Sequence, residues 1–273
     1  MDEKKKSKFL IRLASSIVLV AIVVSVGILG SSNVMLAFTG FISLVGMMEI
    51  MRVFKIHKSV IAPLGYIGVI ALYACICCDR PDMIIFVAVA YLLLIMMIFV
   101  ITFPKFSSNQ MMGLFFGLFY VALMISYMYR IRLLENGKYY FFMVFLTAWG
   151  SDVFAYCVGL LIGKHKAFPK LSPKKTIEGC VGGVVGGALM PFLYTLILTN
   201  MGVLSFKSEY VLLMGGLAAI LSQCGDLAAS AIKRNYDVKD YGHLIPGHGG
   251  ILDRFDSIIF VAPVMYYLLT ILI

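Results

Sequence analysis

The sequence predicts an all-α, polytopic integral membrane protein with about nine transmembrane helices. Three observations predict it. Hydrophobic residues make up 61% of the 273 residues and charged residues only 14%, with mean hydropathy +0.96. A soluble domain is about 45–50% apolar and about 25% charged, so the excess apolar surface here needs lipid as its solvent. The apolar residues are gathered into nine runs of spanning length. The basic residues between those runs alternate in density from one connector to the next.

A bilayer-crossing helix needs about 20 mainly apolar residues. The nine runs are 13–31, 34–51, 59–78, 83–102, 111–129, 139–163, 180–200, 210–232 and 256–273. The connectors are short, no soluble domain fits between them, and no internal repeat is visible. The chain reads as a single membrane domain over 1–273. The first run follows a basic segment, Lys4, Lys5, Lys6, Lys8 and Arg12. It is longer than a signal-peptide core and lacks a small-residue cleavage site, so it reads as a retained helix.

With the N-terminus in the cytoplasm, 18 of the 23 Lys and Arg residues lie in segments on that side: 1–12, 52–58, Lys105, 164–175 and 233–254. The other side holds five: Arg80, Arg130, Arg132, Lys138 and Lys207. The bias follows the positive-inside rule. It puts the two longest charged connectors, 163–178 and 233–255, on the cytoplasmic face of the cell (inner or plasma) membrane. The net charge of +9 does not point to nucleic acid, because the connectors are too short to form a binding module. It fits helix orientation and phosphate binding better. The six cysteines lie in or beside apolar runs without zinc-type spacing and read as packing residues.

Acidic residues inside spans are costly and mark candidate sites. Three lie within the spans: Glu49, Asp152 and Asp226, and Asp253 and Asp256 stand at the mouth of the last one. Ser222, Asp226 and Ser230 share one helix face at i, i+4, i+8, which Lys233 continues. A packing stripe with Asp226 paired to Lys233 is the alternative reading. Asp253 and Asp256, three apart, face one way on a helix. Two close carboxylates need positive charge between them, and Mg²⁺ prefers such oxygen donors. Capping of the helix N-terminus would account for one of the two.

The loop before them carries Lys233, Arg234 and Lys239, then Pro246-Gly247-His248-Gly249-Gly250, with Arg254 beyond. Glycines let backbone amides approach phosphate oxygens, and the bases neutralise them. The other charged connector, Ser172-Pro173-Lys174-Lys175-Thr176-Ile177-Glu178-Gly179, also suits an anion, with Ser172 or Thr176 as a helix cap. A topogenic basic loop explains its lysines equally well. The glycines at 179, 183 and 187, with 182 and 186, read as a close-packing stripe and not as a nucleotide loop, since no strand precedes them.

The run Ser230-x2-Lys233-Arg234-x4-Lys239-Asp240-x-Gly242-x2-Ile245-Pro246-x-His248-Gly249-Gly250-x2-Asp253-Arg254-x-Asp256 resembles the signature of CDP-diacylglycerol synthases, the phosphatidate cytidylyltransferase family. Ser172 to Gly179, and Asp152 with Ala155, Tyr156 and Gly159, resemble it too. The specific likeness covers roughly the C-terminal half, 139–273. Helices 1–130 match only in general character. The resemblance implies transfer of a cytidylyl group from CTP to phosphatidate, releasing pyrophosphate. It implies metal ligation by Asp226, Asp253 and Asp256. It implies catalytic roles for these and for Lys233, Arg234, Lys239 and Arg254. Substrate contacts are implied for Ser172, Lys174, Lys175, Thr176, Ser230, His248, Gly249 and Gly250. Magnesium dependence, a second monovalent cation such as K⁺, and a homodimer in the lipid bilayer follow from the family as well. Open alternatives are a related enzyme acting on another lipid tail, and a transporter with intramembrane acids. A CDP-alcohol phosphotransferase is disfavoured, because its D-G-x2-A-R motif is absent.

Overall fold

The computed structural model describes residues 3–80, 82–205 and 207–272, with side chains from residue 10 onward except at Ser208. Among the described residues the chain forms nine helices: α1 Glu3–Leu29, α2 Ser32–Val53, α3 Ala62–Cys77, α4 Met83–Thr102, α5 Ser108–Leu133, α6 Gly137–Ile162, α7 Ile177–Asn200, α8 Ser208–Asn235 and α9 Leu252–Leu272. Helix α5 contains a π-helical turn at Leu118–Leu123. Each of the nine predicted spans has its helix, and eight are long and apolar enough to cross a membrane. The protein is an all-α polytopic membrane protein. Helix α1 starts well before the predicted 13, because the lysine-rich segment contains no Gly or Pro to stop it.

Helix α3 has 16 residues, about 24 Å of helix against a hydrocarbon core of about 30 Å. A contact decides how to count it. The start of α1 touches the loop before α9: Arg12 Nε donates to Gly247 O at 3.1 Å, and Ser15 Oγ bonds His248 Nδ1 at 2.7 Å. These segments therefore share a membrane face, which requires an even number of crossings between them. Eight helices intervene, α1 to α8, so α3 counts as a crossing despite its length.

The prediction missed one element. The connector after α6 is a small antiparallel hairpin of β1 Lys166–Phe168 and β2 Ser172–Thr176, in register at Lys166–Thr176 and Phe168–Ser172. Its residues show no alternation of apolar and polar positions, so no strand is legible there.

The chain divides into two compact units. The first holds residues 1–129 together with Tyr236–Arg254. Its core is built from α2 to α5, including Met47, Met51, Leu72, Tyr91, Ile95 and Leu114. The second holds Arg130–Asn235 and Phe255–Ile273. There the glycine stripe of α7 lets three helices close on one another. A side chain at Gly182 would meet Val158 of α6, and one at Gly187 would meet Ala219 of α8 at 2.5 Å. The stripe is a packing device. This division places loop 236–254 with the N-terminal helices.

Candidate active site

The second unit builds its site on β2 and helices α6 to α9. Strand β2 delivers Lys174, Lys175 and Thr176 to the start of α7. Thr176 caps that helix, its Oγ accepting from Gly179 N at 3.1 Å. An N-cap hydroxyl satisfies one of the amides a helix start leaves unbonded. Glu178, in the first turn, accepts from the amides of Lys164 and His165 and meets His165 Nδ1 at 2.6 Å, which ties the hairpin to the helix. With the strand so fixed, Lys175 Nζ reaches Asp226 Oδ2 of α8 at 2.7 Å.

Asp226 has a second carboxylate near it. Gly225 allows α8 and α9 to approach, since a Cβ there would lie 2.6 Å from Asp256 O. The charges of Asp226, Lys233 and Asp152 all act on Asp256. Asp256 Oδ1 accepts from Ser257 N at 2.9 Å. Ser222, one turn before Asp226, is buried, and its hydroxyl has no hydrogen-bond partner among the described residues. Beside this group lies a cavity of about 300 Å³ lined by Asp152, Lys174, Lys175, Thr176, Cys180 and Gln223, among others. Gln223 Nε2 donates to Cys180 O at 2.9 Å and holds α8 against α7. Trp149 is a packing residue, its ring 5.2 Å from that of Phe145.

The first unit places the motif loop. Asp253 is buried, and its Oδ2 accepts from Tyr241 N at 2.8 Å and Gly250 N at 2.9 Å. Glu49 of α2, 1% exposed, accepts from Ile251 N at 2.9 Å and Leu252 N at 2.8 Å. It therefore caps α9 from another helix, where negative charge is favoured. A side chain at Gly242 or Gly250 would collide with the Glu49 carboxylate. These two motif glycines make room for an acid, and the amide of Gly250 donates to Asp253. Gly249 has φ +89°, a conformation that favours glycine. Lys239, His248, Gly249 and Arg254 line a second cavity, of about 500 Å³, together with Arg12 of α1.

Ser172, Ser230 and Arg234 line neither cavity. Sequence reasoning left Glu49 without a role and gave Arg12 only a topogenic one. Arg12, Ser15 and Ser16 at i, i+3, i+4 share one polar face where α1 passes from its lysine-rich start into its apolar run, and that spacing is the signal for it.

Among the described residues, no group of three or more His, Cys, Asp and Glu side chains stands ready as a metal cage. A magnesium site does not need one: Mg²⁺ commonly takes one or two carboxylates and completes its shell with phosphates and water. Asp226 and Asp256 fit that requirement. They are oxygen donors whose charges act on each other, and a lysine now serves as the counter-charge. Asp253 fits it less directly, since one of its oxygens holds two loop amides.

A family model described as cytidylyltransferase family matches residues 10–272. The chain is similar to the phosphatidate cytidylyltransferases of Bacillus subtilis (strain 168), 42% identical over 151 residues, and Staphylococcus haemolyticus (strain JCSC1435), 41% over 150. It is 40% identical over 152 residues to the phosphatidate cytidylyltransferase of Staphylococcus aureus (strain COL). Each match covers 55% of this chain and 55% of the relative, so the chain spans about half the length of the curated relatives it matches.

Proposed function

The chain belongs to the cytidylyltransferase family, and on that premise we propose that it is a phosphatidate cytidylyltransferase. CTP and phosphatidate give CDP-diacylglycerol and pyrophosphate. A phosphatidate phosphate oxygen attacks the α-phosphorus of CTP. The bond from that phosphorus to the α–β bridging oxygen breaks, and pyrophosphate leaves. No covalent enzyme intermediate is required. The protein's work is to position two anions that repel one another and to neutralise the charge that develops.

The observation that carries this reading is the ion pair of Lys175 with Asp226, beside Asp256 and Lys233. Basic and acidic side chains from β2, α8 and α9 meet there next to a cavity. Lys174, Lys175 and Thr176 bind triphosphate oxygens, and Lys233 and Arg234 neutralise charge at the end of α8. Lys239 and Arg254 hold phosphate on the motif loop. Asp226 and Asp256 would hold the divalent ion, with Asp253 one helical turn from Asp256. Bound Mg²⁺ would supply charge neutralisation at the CTP phosphates, and a monovalent cation such as K⁺ would share the acidic group. When substrate arrives, Lys175 exchanges its carboxylate partner for phosphate.

The basic bias and the crossing parity together support a site on the cytoplasmic face of the cell membrane, where CTP is available. A homodimer is proposed on the family resemblance alone, and its mass in detergent by light scattering is the check.

The test is an assay with labelled CTP, phosphatidate and Mg²⁺ in mixed micelles, which should yield CDP-lipid and pyrophosphate. Asp226→Asn should lower turnover by about 10²–10³-fold, as removal of a transition-state electrostatic partner does, while inserting normally. Near-normal turnover by that variant would remove Asp226 from the site. An ether-lipid phosphate turned over in preference to phosphatidate would reassign the lipid. Solute flux in proteoliposomes without CTP-dependent lipid product would overturn the enzyme reading.

A further inference from the structure

We propose that Arg12 of α1 completes a binding subsite for the phosphate headgroup of the lipid substrate, together with Lys239 and Arg254. The proposal rests on the cytidylyltransferase reading and deepens it. It brings the N-terminal helix, outside the recognised motif, into substrate binding.

The cavity of about 500 Å³ in the first unit is lined by Arg12, Lys239, Asp240, His243, His248 and Arg254 among others. It holds three permanent cations against one carboxylate. That surplus matches a phosphate monoester, which carries about −1.5 to −2 at neutral pH. Arg12 is held in place by one of its five donors, Nε, on Gly247 O at 3.1 Å. The remaining guanidinium donors have no bond among the described residues, and a guanidinium fork is shaped for two phosphate oxygens at once.

The mount is deliberate in its bonding. Ser15 Oγ lies 3.1 Å from Pro246 O and 2.7 Å from His248 Nδ1, and Ser16 Oγ lies 3.2 Å from His248 Nε2. A helix that needed only to cross the bilayer has no use for three polar residues on one face aimed at a distant loop. The lipid assignment comes from the surroundings. Leu13 and Ile17, next along α1, are 47% and 60% exposed on a helix of which little is buried. An anion seated at Arg12 is thus flanked by an apolar surface on which acyl chains can lie. A soluble nucleotide has no use for that surface.

The experiment measures KM for phosphatidate at the micelle surface and KM for CTP separately, in the wild type, Arg12→Ala, Arg12→Lys and Arg12→Gln. Loss of a charge-assisted contact should raise the phosphatidate KM of Arg12→Ala about tenfold or more, with the CTP KM within about twofold of wild type. Arg12→Lys should recover most of the loss. Arg12→Gln keeps a donor for Gly247 O and lacks the charge, so it should stay impaired. Wild-type behaviour of Arg12→Gln would show a mere strap and overturn the proposal. A rise in the CTP KM alone would assign the cavity to nucleotide phosphate and overturn the lipid assignment. If the wild-type protein forms no CDP-lipid, the functional reading fails by itself. The subsite is then judged by binding of a fluorescent short-chain phosphatidate against the matching phosphatidylcholine. Preference for phosphatidate that is lost in Arg12→Ala supports it, and equal binding by both proteins overturns it.

Discussion

Two pairs of acids, Glu49 with Asp253 in the first unit and Asp226 with Asp256 in the second, are used in opposite ways. In the first, Glu49 and Asp253 are buried and spend their oxygens on backbone amides at both ends of a loop. In the second, Asp226 faces a lysine, and Asp256 lies in the field of Asp226, Asp152 and Lys233. An acid that accepts from amides fixes a backbone and gains nothing from being released. An acid paired with a lysine can exchange that partner for a metal–phosphate group at little net cost. The comparison therefore predicts that Glu49 and Asp253 are felt foremost in stability and Asp226 and Asp256 foremost in turnover.

The largest test of that division is Glu49. Replacing it with Ala leaves two buried amides at the start of α9 unbonded, at about 1–3 kcal/mol each. Glu49→Ala should lower the thermal midpoint in detergent well below that of Asp226→Asn and should lose activity as the loop relaxes. Glu49→Gln keeps one acceptor oxygen and should fall between Ala and wild type in stability. If Asp226→Asn unfolds as readily as Glu49→Ala, the division between scaffold acids and chemical acids does not hold.

Thr176 sharpens the comparison from within the second unit, because it is a scaffold residue beside the chemistry. Its hydroxyl caps α7, and removal of such a cap costs about 1 kcal/mol. Thr176→Ala should lower stability by that order and raise the CTP KM a few fold, as β2 and Lys175 lose their anchor. Thr176→Ser should restore both. A KM change with unchanged stability would make the hydroxyl a phosphate contact alone.

What was legible in the sequence follows the same line. The acids of α8 and α9 and the bases around them stand in one stretch of chain, where local spacing reads them. The nine helices follow from apolar runs alone. Glu49 was visible as a costly intramembrane acid, but its partners are amides some 200 positions away, and amides carry no residue signature. Asp226 also pairs with Lys175, about fifty residues upstream and placed by a hairpin with no alternating pattern. The spacing gave no sign of a second demand on two of the motif glycines: at Gly242 and Gly250 a carboxylate from α2 fills the space a side chain would need. Spacing reports which residues share a face; it does not report what the opposite face presents.

The smallest predicted effect concerns His248, which joins α1 to the motif loop. Burial, with the charges of Arg254 and Arg12, pushes its imidazole below the usual value. Ser15 and Ser16 contact its two nitrogens. Ser15 Oγ is within reach of the carbonyls of Ile11, Arg12 and Pro246, so its single proton goes to one of them and it accepts from Nδ1–H. The sign follows from proton linkage. Above about pH 6.5 the ring is neutral in folded and unfolded chains alike, and it adds no pH dependence. As pH falls below that value, the unfolded chain takes up the proton first, and stability declines until the folded ring titrates too. Thermal midpoints of wild type and His248→Gln at pH 7.5 and 5.5 read this directly. The wild type should lose more on acidification, the difference between the two proteins being the ring's share. An equal loss would mean that the α1–loop junction does not feel the charge of His248, and that Arg12 and Arg254 stand farther from the ring in solution than they do in the structure.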